Sequence, residues 1–408
     1  MKKTLMKKYA ELIVRSGIAL KKGQSVMIKA NVDQEAFVAM VMDECYKAGA
    51  KHVHVHWLSE ACHRVEVKKG KLSALKEVLP MEEGEQRWLT EDLPCLIWID
   101  SDNPDASKGL DAKKMAEIRV AHYKKNAPFI EARSNRYQWC IAGAPSKAWA
   151  KKVFPEESPA RAIEKLWESI LLTSRASDGN GIENWKEHDR ILKTKCEALN
   201  ALRLKELHYT SKNGTDLRVG LIPGVIFEGG GEKTLGGTYF QPNIPSEECF
   251  TSPRKGEAEG IVYSAKPLAY QGHLIRDFWV KFENGKAVDV HAEEGEEALR
   301  SILSLDEGSA YLGECALVPY DSPINNTGLL FYNTLFDENA CCHLALGRGF
   351  TNLYPDFEKY TEDEIHGFGI NKSLSHVDFM IGSEDLNIVG TTEDGREVQI
   401  FRDGNWAF

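Results

Sequence analysis

Apolar and polar residues alternate in two different rhythms along this chain, and the rhythm changes near residue 180. In the first part, short apolar runs at 26–30, 52–57 and 93–100 have the length and composition of strands. Between the first two runs, residues 35–48 place apolar side chains at helical spacing, and Gly49 follows as a helix-terminating residue. Strands that alternate with helices predict an α/β region built on a mostly parallel sheet.

Residues 206–300 instead contain short strand-like runs separated by glycine, asparagine and proline. The dipeptides Asn213-Gly214 and Asn284-Gly285 are typical of tight β-hairpin turns. This part of the chain is therefore predicted to be rich in antiparallel strands, with few helices.

The polar segment 176–181, Ala-Ser-Asp-Gly-Asn-Gly, has the composition of a linker. Helices are predicted after it at 185–202 and again at 293–303. The sequence thus predicts two domains. Residues 1–183 form an α/β N-terminal domain with a mostly parallel sheet, and residues 184–408 form a β-rich α+β C-terminal domain.

The amino-acid composition and net charge limit the kinds of molecule that the protein is expected to bind. The 408 residues include 51 lysines and arginines against 61 aspartates and glutamates, a formal net charge of −10. We therefore expect neither nucleic acid nor a membrane surface as a partner. No stretch has the roughly 18 uninterrupted apolar residues of a membrane span. Nine cysteines without a CxxC pair, and an N-terminal segment without an apolar signal core, predict free thiols and a cytoplasmic protein.

Two motifs resemble binding sites but lack the required geometry. His52, His54 and His56 share one strand face, yet steps of about 6–7 Å along a straight strand suit a single ion poorly. We interpret them as a polar strand face. The segment 229–234, Gly-Gly-Gly-Glu-Lys-Thr, has Glu232 where a phosphate loop needs glycine, so a flexible loop is predicted.

A cysteine nucleophile is not expected at Cys341-Cys342-His343. Neighbouring residues on a strand point to opposite faces, so the side chains of Cys342 and His343 would not meet. Cys341 shares a face with His343, but nothing in the sequence predicts the lowered thiol pKa that a nucleophile needs.

Carboxylates and imidazoles recur in apolar or turn-rich surroundings in four segments of the C-terminal half. A buried charge is costly without a partner, and Glu314, His343, His376 and Asp378 all lie within or beside apolar runs. Taken singly, each has a structural interpretation, such as a carboxylate paired with Arg348. Taken together, two glutamates, two histidines and one aspartate match the ligand set of a two-metal hydrolytic site. The segments are 243–253, 311–318, 341–347 and 375–382.

The same strings resemble a known family. Asn-Ile-Pro-Ser-Glu-Glu-Cys-Phe-Thr-Ser-Pro at 243–253, Leu-Gly-Glu at 312–314 and His-Val-Asp-Phe-Met-Ile-Gly at 376–382 are similar to motifs of the thermophilic metalloaminopeptidases, the aminopeptidase T family. The resemblance also covers 328–340 and 342–347, together with N-terminal segments, so it spans nearly the whole chain.

The resemblance implies a two-metal aminopeptidase that removes N-terminal residues from peptides through a metal-activated water. It implies two divalent ions per chain, zinc, cobalt, manganese or magnesium, with Glu314 as the bridging and catalytic carboxylate. It also implies a homodimer whose active sites face an enclosed cavity. The implied metal ligands are Glu248, Glu314, His343, His376 and Asp378.

One residue departs from the family pattern. The family usually has a tyrosine seven residues after the third-motif histidine, and here that position is Phe350. Losing one hydrogen-bond donor to a transition state costs on the order of 10²–10³ in rate. We therefore hypothesise a weakened or differently tuned peptidase, which a Phe350→Tyr variant that gained no activity would contradict. Tyr354 is a nearby candidate for the missing phenol.

Two other functions remain open from sequence alone. A non-catalytic metal- or peptide-binding dimer would retain the ligands, and Phe350 is the feature that favours it. A two-metal hydrolase of another amide or ester would share the same site. For the peptidase, the substrate's free amine is expected to bind a metal or a nearby carboxylate such as Glu247. Metal-dependent release of amino acids from unblocked peptides separates these functions.

Overall fold

The computed structural model describes residues 3–408, which form two compact units. The first unit contains the residues up to Glu187 together with Gly231–Pro245. The second unit contains His188–Gly230 and Ser246–Phe408. Within residues 3–408, no helix has both the length and the apolar character needed to cross a bilayer.

Helices and strands are numbered separately in chain order. The helices are α1 (Lys3–Leu12), α2 (Glu35–Lys47), α3 (Glu60–Lys69), α4 (Leu72–Leu75), α5 (Pro80–Glu91), α6 (Ala112–Arg133), α7 (Lys147–Val153), α8 (Pro159–Thr173), α9 (Gly181–Leu202), α10 (Glu296–Leu303), α11 (Thr334–Glu338) and α12 (Glu362–Gly367). The strands are β1 (Val26–Asn31), β2 (Val53–Leu58), β3 (Cys95–Asp100), β4 (Trp139–Gly143), β5 (Leu204–Thr210), β6 (Asp216–Leu221), β7 (Glu232–Lys233), β8 (Tyr239–Phe240), β9 (Asn243–Ile244), β10 (Cys249–Thr251), β11 (Pro253–Tyr263), β12 (Leu268–Tyr270), β13 (His273–Glu283), β14 (Lys286–Glu294), β15 (Leu312–Leu317), β16 (His343–Gly347), β17 (His376–Met380), β18 (Asn387–Thr392), β19 (Glu397–Arg402) and β20 (Asn405–Trp406).

The first unit is built on a five-stranded sheet in the order β2-β1-β3-β4-β9, and every pair in it is parallel. Val26, Met27 and Ile28 of β1 are all fully buried, which is the continuous burial of a parallel strand covered on both faces. Tyr9 of α1 stacks on Phe37 of α2, with ring centroids 5.8 Å apart, and joins the two helices. The predicted mostly parallel sheet is confirmed.

Element ends in the first unit follow local backbone geometry. Helix α2 ends at Lys47, and Gly49 then adopts a φ of +95°, as its helix-terminating role requires. Strand β2 begins at Val53, one residue later than predicted. Strand β3 begins at Cys95 rather than at Leu93, because Leu93 has a φ of +47° and cannot extend a strand.

The second unit contains antiparallel sheets, as predicted for the C-terminal half. Strands β10-β15-β16-β17 form one sheet. A nine-stranded sheet has the order β12-β13-β11-β6-β5-β18-β19-β20, with β14 paired to β13. Both predicted hairpins are present, because β5 pairs with β6 and β13 pairs with β14. Helix α10 begins later than predicted, since β14 continues to Glu294 and Gly295 turns the chain with a φ of +81°.

The compact units divide the chain differently from the predicted domains at residues 184–187 and at residues 231–245. Residues 231–245 belong to the first unit, because β9 pairs in parallel with β4 through Asn243 and Ile244. The division at residues 183 and 184 stays a prediction about domains. The predicted flexible loop at 229–234 is wrong in part, since Glu232–Lys233 form strand β7 and pair with β8.

The chain leading into β17 passes so close to Gly347, the last residue of β16, that a side chain at this position would clash with it. Gly347 has a φ of +108°, and a Cβ there would lie 2.2 Å from the Ser375 carbonyl oxygen. Gly395 has a φ of +86° but no atom near a hypothetical Cβ. Gly395→Ala is therefore expected to lower the free energy of unfolding by about 1 kcal/mol, and Gly347→Ala by more than about 3 kcal/mol. Urea unfolding in the presence of a chelator measures both, and equal losses would contradict the close approach.

Candidate metal centre

The predicted ligands lie on one face of the sheet β10-β15-β16-β17. Residues two apart on a strand share a face. Glu314 of β15 is in register with Ala345 of β16, which is in register with Asp378 of β17. One row across the sheet therefore carries a carboxylate on each side of an alanine. The small side chain of Ala345 leaves room between the two carboxylates.

The neighbouring rows repeat this arrangement with imidazoles. Ala316 of β15 is in register with His343 of β16, and Gly347 of β16 is in register with His376 of β17. On one adjacent strand each histidine thus faces a residue with little or no side chain, while Met380 of β17 lies on the other side of His343. Donor atoms on this face are interspersed with small residues, so the strands supply both the ligands and the space that ions would need.

Glu248, Glu314 and His343 form the first group of donors. One donor atom from each lies within 4.8 Å of the other two, and all three residues are buried. The Nε2 atom of His343 is 3.2 Å from Oε2 of Glu248. The Ser246 hydroxyl lies 3.5 Å from the other oxygen of Glu248. These atoms match the oxygen and nitrogen donors that bind divalent transition metals.

Glu314 also belongs to a second group, with His376 and Asp378. The Nε2 atom of His376 lies 3.0 Å from Oε2 of Glu314 and 3.2 Å from Oδ1 of Asp378. The other ring nitrogen, Nδ1, is 2.7 Å from the Arg348 carbonyl oxygen and donates to it. This bond places one proton on Nδ1, while the neighbouring carboxylates raise the pKa of His376 and favour a second proton on Nε2. Nε2 is therefore the nitrogen that could bind a cation once that second proton is lost.

The proximity of these groups shifts their pKa values. Burial raises the pKa of Glu314 to about 7, against the opposing effect of His376. Burial alone would lower the pKa of His343, but its hydrogen bond to Glu248 and the nearby carboxylates raise it to about 9. Burial likewise opposes the shift at Asp378, where the charges of His376 and His343 lower the pKa to about 2. Shifts of both signs within one cluster are typical of functional sites.

Glu338, a further carboxylate at this cluster, was not assigned from the sequence. It is the last residue of α11 and is hydrogen-bonded to Asp378. Burial raises its pKa well above the usual range, and the charges of Asp378, Glu248 and Glu314 raise it further. The resembling segment 328–340 contains Glu338, but a helix of five residues has no periodicity that would reveal its burial.

The segment that carries Glu248 is held by contacts within the second unit. The Glu247 backbone N–H donates to Oδ1 of Asn339 over 2.7 Å. The Nε2 atom of His188 lies 2.7 Å from the Ser246 carbonyl oxygen and 3.7 Å from the Glu247 carboxylate. Glu247 and Glu248 therefore contact different histidines, and Glu248 is the one in the ligand group.

Cysteines adjoin three of the ligands in sequence but lie in the hydrophobic core. Cys249, Cys315 and Cys342 are all buried there, which agrees with the alternation of side chains along strands. Burial raises the pKa of Cys341 to about 11, and it raises the pKa of Cys342 as well. Thiols with raised pKa values are poor nucleophiles, so the expectation that no cysteine acts as one agrees with the structure.

The remaining sequence candidates make structural contacts. His56 pairs with Glu85 at 2.7 Å, and His54 lies edge-on to Trp88, so the polar strand face is in keeping with these contacts. Tyr354 stacks on Phe368 with ring centroids 4.8 Å apart.

The chemistry of the donor atoms shows whether divalent cations suit this site. Oδ1 of Asp378 is buried and accepts no hydrogen bond from any residue within 3–408, even though Nε2 of His376 is near. A buried carboxylate oxygen without such a bond has lone pairs available to a cation. Once their protons are lost, four carboxylates against two imidazoles leave a surplus of negative charge that divalent cations would balance. Divalent cations therefore fit both groups.

Comparisons with known proteins agree with this site. A family model described as thermophilic metalloprotease (M29) matches residues 2–406. Aminopeptidase AmpS of Bacillus subtilis is 41% identical over 401 residues, which cover 98% of this chain and 98% of that protein. The chain belongs to the M29 family of thermophilic metalloproteases. Aminopeptidase T of Thermus thermophilus is 38% identical over 416 residues, again 98% of each protein.

The fold of this M29 protein is also that of a solved relative. Wild-type AmpT from Thermus thermophilus matches it with a TM-score of 0.91 and 36% identity, over 100% of both chains. The M29 protein is a metallo-aminopeptidase, and membership of a metalloprotease family implies that it uses divalent metal. The resemblance found in the sequence is confirmed, and the expectation of an enzyme is confirmed with it.

The pKa values predict that cation binding to this M29 protein releases protons. With a pKa of about 9, His343 is protonated at pH 7 in the metal-free cluster, and an imidazole must be neutral to bind a metal. We expect about one proton or more to be released per chain at pH 7, and fewer as the pH approaches 9. Calorimetry in buffers of different ionisation enthalpy counts the protons.

Glu248→Gln is the matched variant for this measurement, because it removes the carboxylate that holds the proton on His343. It should release fewer protons than the wild type at pH 7. Binding heats that do not depend on the buffer at pH 7 would contradict the protonated imidazole.

Proposed function

We propose that this metallo-aminopeptidase works with two divalent cations per chain. Glu248, Glu314 and His343 would hold one, and Glu314, His376 and Asp378 would hold the other. The observation that carries the proposal is that one carboxylate, Glu314, belongs to both groups of donors. A pair of cations roughly 3.5–4 Å apart lowers the pKa of water and polarises a carbonyl group, which is the chemistry that peptide hydrolysis requires.

Glu338 is the group we propose for proton transfer. Its contact with Asp378 supports this role, because it holds a carboxyl beside the ligands, and bound cations would lower the raised pKa of that carboxyl so that it could lose and regain a proton. Such a group can accept a proton from the attacking water and donate it to the departing amine. Since Asp378 is held between His376 and Glu338, its orientation is fixed on both sides.

The substrate we propose is a peptide with a free N-terminus. The free amine of such a peptide would bind one of the cations or donate a hydrogen bond to a carboxylate of the cluster. Glu247, the candidate named from the sequence, is buried and lies 3.7 Å from His188. The two cations and the carboxylates that hold them are therefore better-supported partners for the amine than that single residue.

A homodimer and a cytoplasmic location stay predictions. The free state of all nine cysteines is in keeping with a reducing compartment. The particular metal also stays open, because zinc, cobalt, manganese and magnesium all accept these donors.

Glu314→Gln and Glu338→Gln separate the two proposed roles. Glu314→Gln removes the charge that both groups share, so we expect the loss of both cations and of turnover. Glu338→Gln should retain two cations and lose about 10²–10⁴-fold in kcat, the usual contribution of a proton-transfer group. Metal analysis after gel filtration, combined with peptide hydrolysis, measures both. Retention of two cations by Glu314→Gln would contradict the shared carboxylate.

A blocked N-terminus tests the class of peptidase. Release of leucine from a leucyl peptide should stop on chelation and return when cobalt, zinc, manganese or magnesium is restored. The N-acetylated form of the same peptide should not be hydrolysed, because acetylation removes the free amine that would bind a cation or a carboxylate. Equal hydrolysis of the two peptides would mean that the enzyme does not recognise the free amine.

A further inference from the structure

An aromatic pair stands beside the second group of donors. The Phe350 ring centroid lies 5.1 Å from that of His376, at an interplanar angle of 60°. The Phe250 ring contacts Phe350 edge to face, at 5.2 Å and 68°. The cluster of charged donors therefore has an apolar wall, made of these two phenylalanines, directly next to one of its imidazoles.

Both rings are held on the side of the ligands by the backbone. Phe250 lies on β10 between the fully buried residues Cys249 and Thr251, so its side chain projects from the opposite face, the one that Glu248 also occupies. Phe250 is in register with Ala316, the small residue that faces His343.

Phe350 is fixed by its own backbone. Its N–H donates to the hydroxyl of Ser252 over 2.8 Å, and Ser252 is fully buried. The wall is thus anchored at both ends to the chain that begins at β10.

The wall stands at the accessible edge of the centre. Glu314 and His343 are buried, whereas the side chain of His376 is 20% exposed, and both phenylalanines are partly exposed. Exposed aromatic surface beside polar catalytic groups is the usual composition of a ligand pocket. A substrate that reaches the donors from this edge would contact the rings.

We propose that Phe250 and Phe350 form an apolar subsite for the side chain of a residue next to the cleaved peptide bond. The enzyme should then prefer peptides in which that residue is large and apolar, such as leucine, over peptides with alanine. The inference rests on the proposed function, because it assumes that the peptide carbonyl lies at the donors. Contacts of this kind are worth about 10–100-fold in kcat/KM between leucine and alanine.

The experiment compares kcat/KM for Leu-Ala, Ala-Leu and Ala-Ala in the cobalt-loaded enzyme. A preference for Leu-Ala assigns the subsite to the N-terminal residue, and a preference for Ala-Leu assigns it to the second residue. Phe350→Ala should reduce the preference to less than about 3-fold. Phe350→Tyr keeps the ring and should keep the preference. Phe250→Ala removes the other ring. It takes the place of Phe350→Ala in this comparison if Phe350→Ala does not fold.

Phe408→Ala is the matched control. It truncates a phenylalanine that is 45% exposed in the second unit and packs against Trp406. This variant should keep the wild-type preference. Metal analysis of every variant should still show two cations per chain.

Two results would overturn the subsite. One is an unchanged preference in both Phe350→Ala and Phe250→Ala. The other is an equal fall for all three dipeptides with both cations retained, which would mean that the rings act on His376 rather than on substrate. If the wild type hydrolyses no peptide, the proposed function fails, and calorimetry with L-leucine and L-alanine still tests the subsite. The wild type should bind L-leucine more tightly than L-alanine, whereas Phe350→Ala should bind the two with similar affinity. Equal affinities of the wild type for leucine and alanine would reject the proposal.

Discussion

Repulsion among buried carboxylates is the constraint on which the second unit depends. Four of them meet at one sheet face with only two imidazoles between them, and each would be costly to bury alone. In the metal-free state, raised pKa values retain protons on Glu314 and His343, and those protons reduce the repulsion. Divalent cations would replace these protons with a larger positive charge. The carboxylates are Glu248, Glu314, Glu338 and Asp378.

A rigid backbone holds these carboxylates close together against their repulsion, because mobile side chains would move apart. Four of the five predicted ligands lie on strands of one antiparallel sheet whose neighbours are fixed in register, namely Glu314, His343, His376 and Asp378. The remaining freedom is removed by bonds to the backbone, such as that from His376 to the Arg348 carbonyl. Small residues between the donors keep the centre open. Geometry of this kind is what preorganised sites require.

Much of this could be predicted from local sequence. Continuous apolar runs predicted the parallel strands, and Asn-Gly pairs predicted the two hairpins, because both signals depend on neighbouring residues alone. The ligands were predicted from charged groups in apolar runs, together with the family resemblance, and the structure brings all five into two groups.

Features set by long-range contacts were missed. Glu338 reaches the donors because α11 packs against β17. Residues 231–245 join the first unit through the two-residue strand β9 and through bonds such as that from the Gln241 N–H to the Ser16 carbonyl. No local pattern encodes either contact. The start of β3 was misplaced for a related reason, since the positive φ of Leu93 is not evident from its residue type.

The alternation of ligands and core cysteines has a consequence for how such a protein can vary. On β15, Glu314 faces the donors, while the next residue, Cys315, lies in the core. Inserting or deleting one residue in this strand would exchange the two, placing a charge in the core and a thiol at the centre. Both stability and ligation would be lost in one genetic event. Length changes should therefore accumulate in the connecting loops, while the strands that carry the donors keep a fixed number of residues.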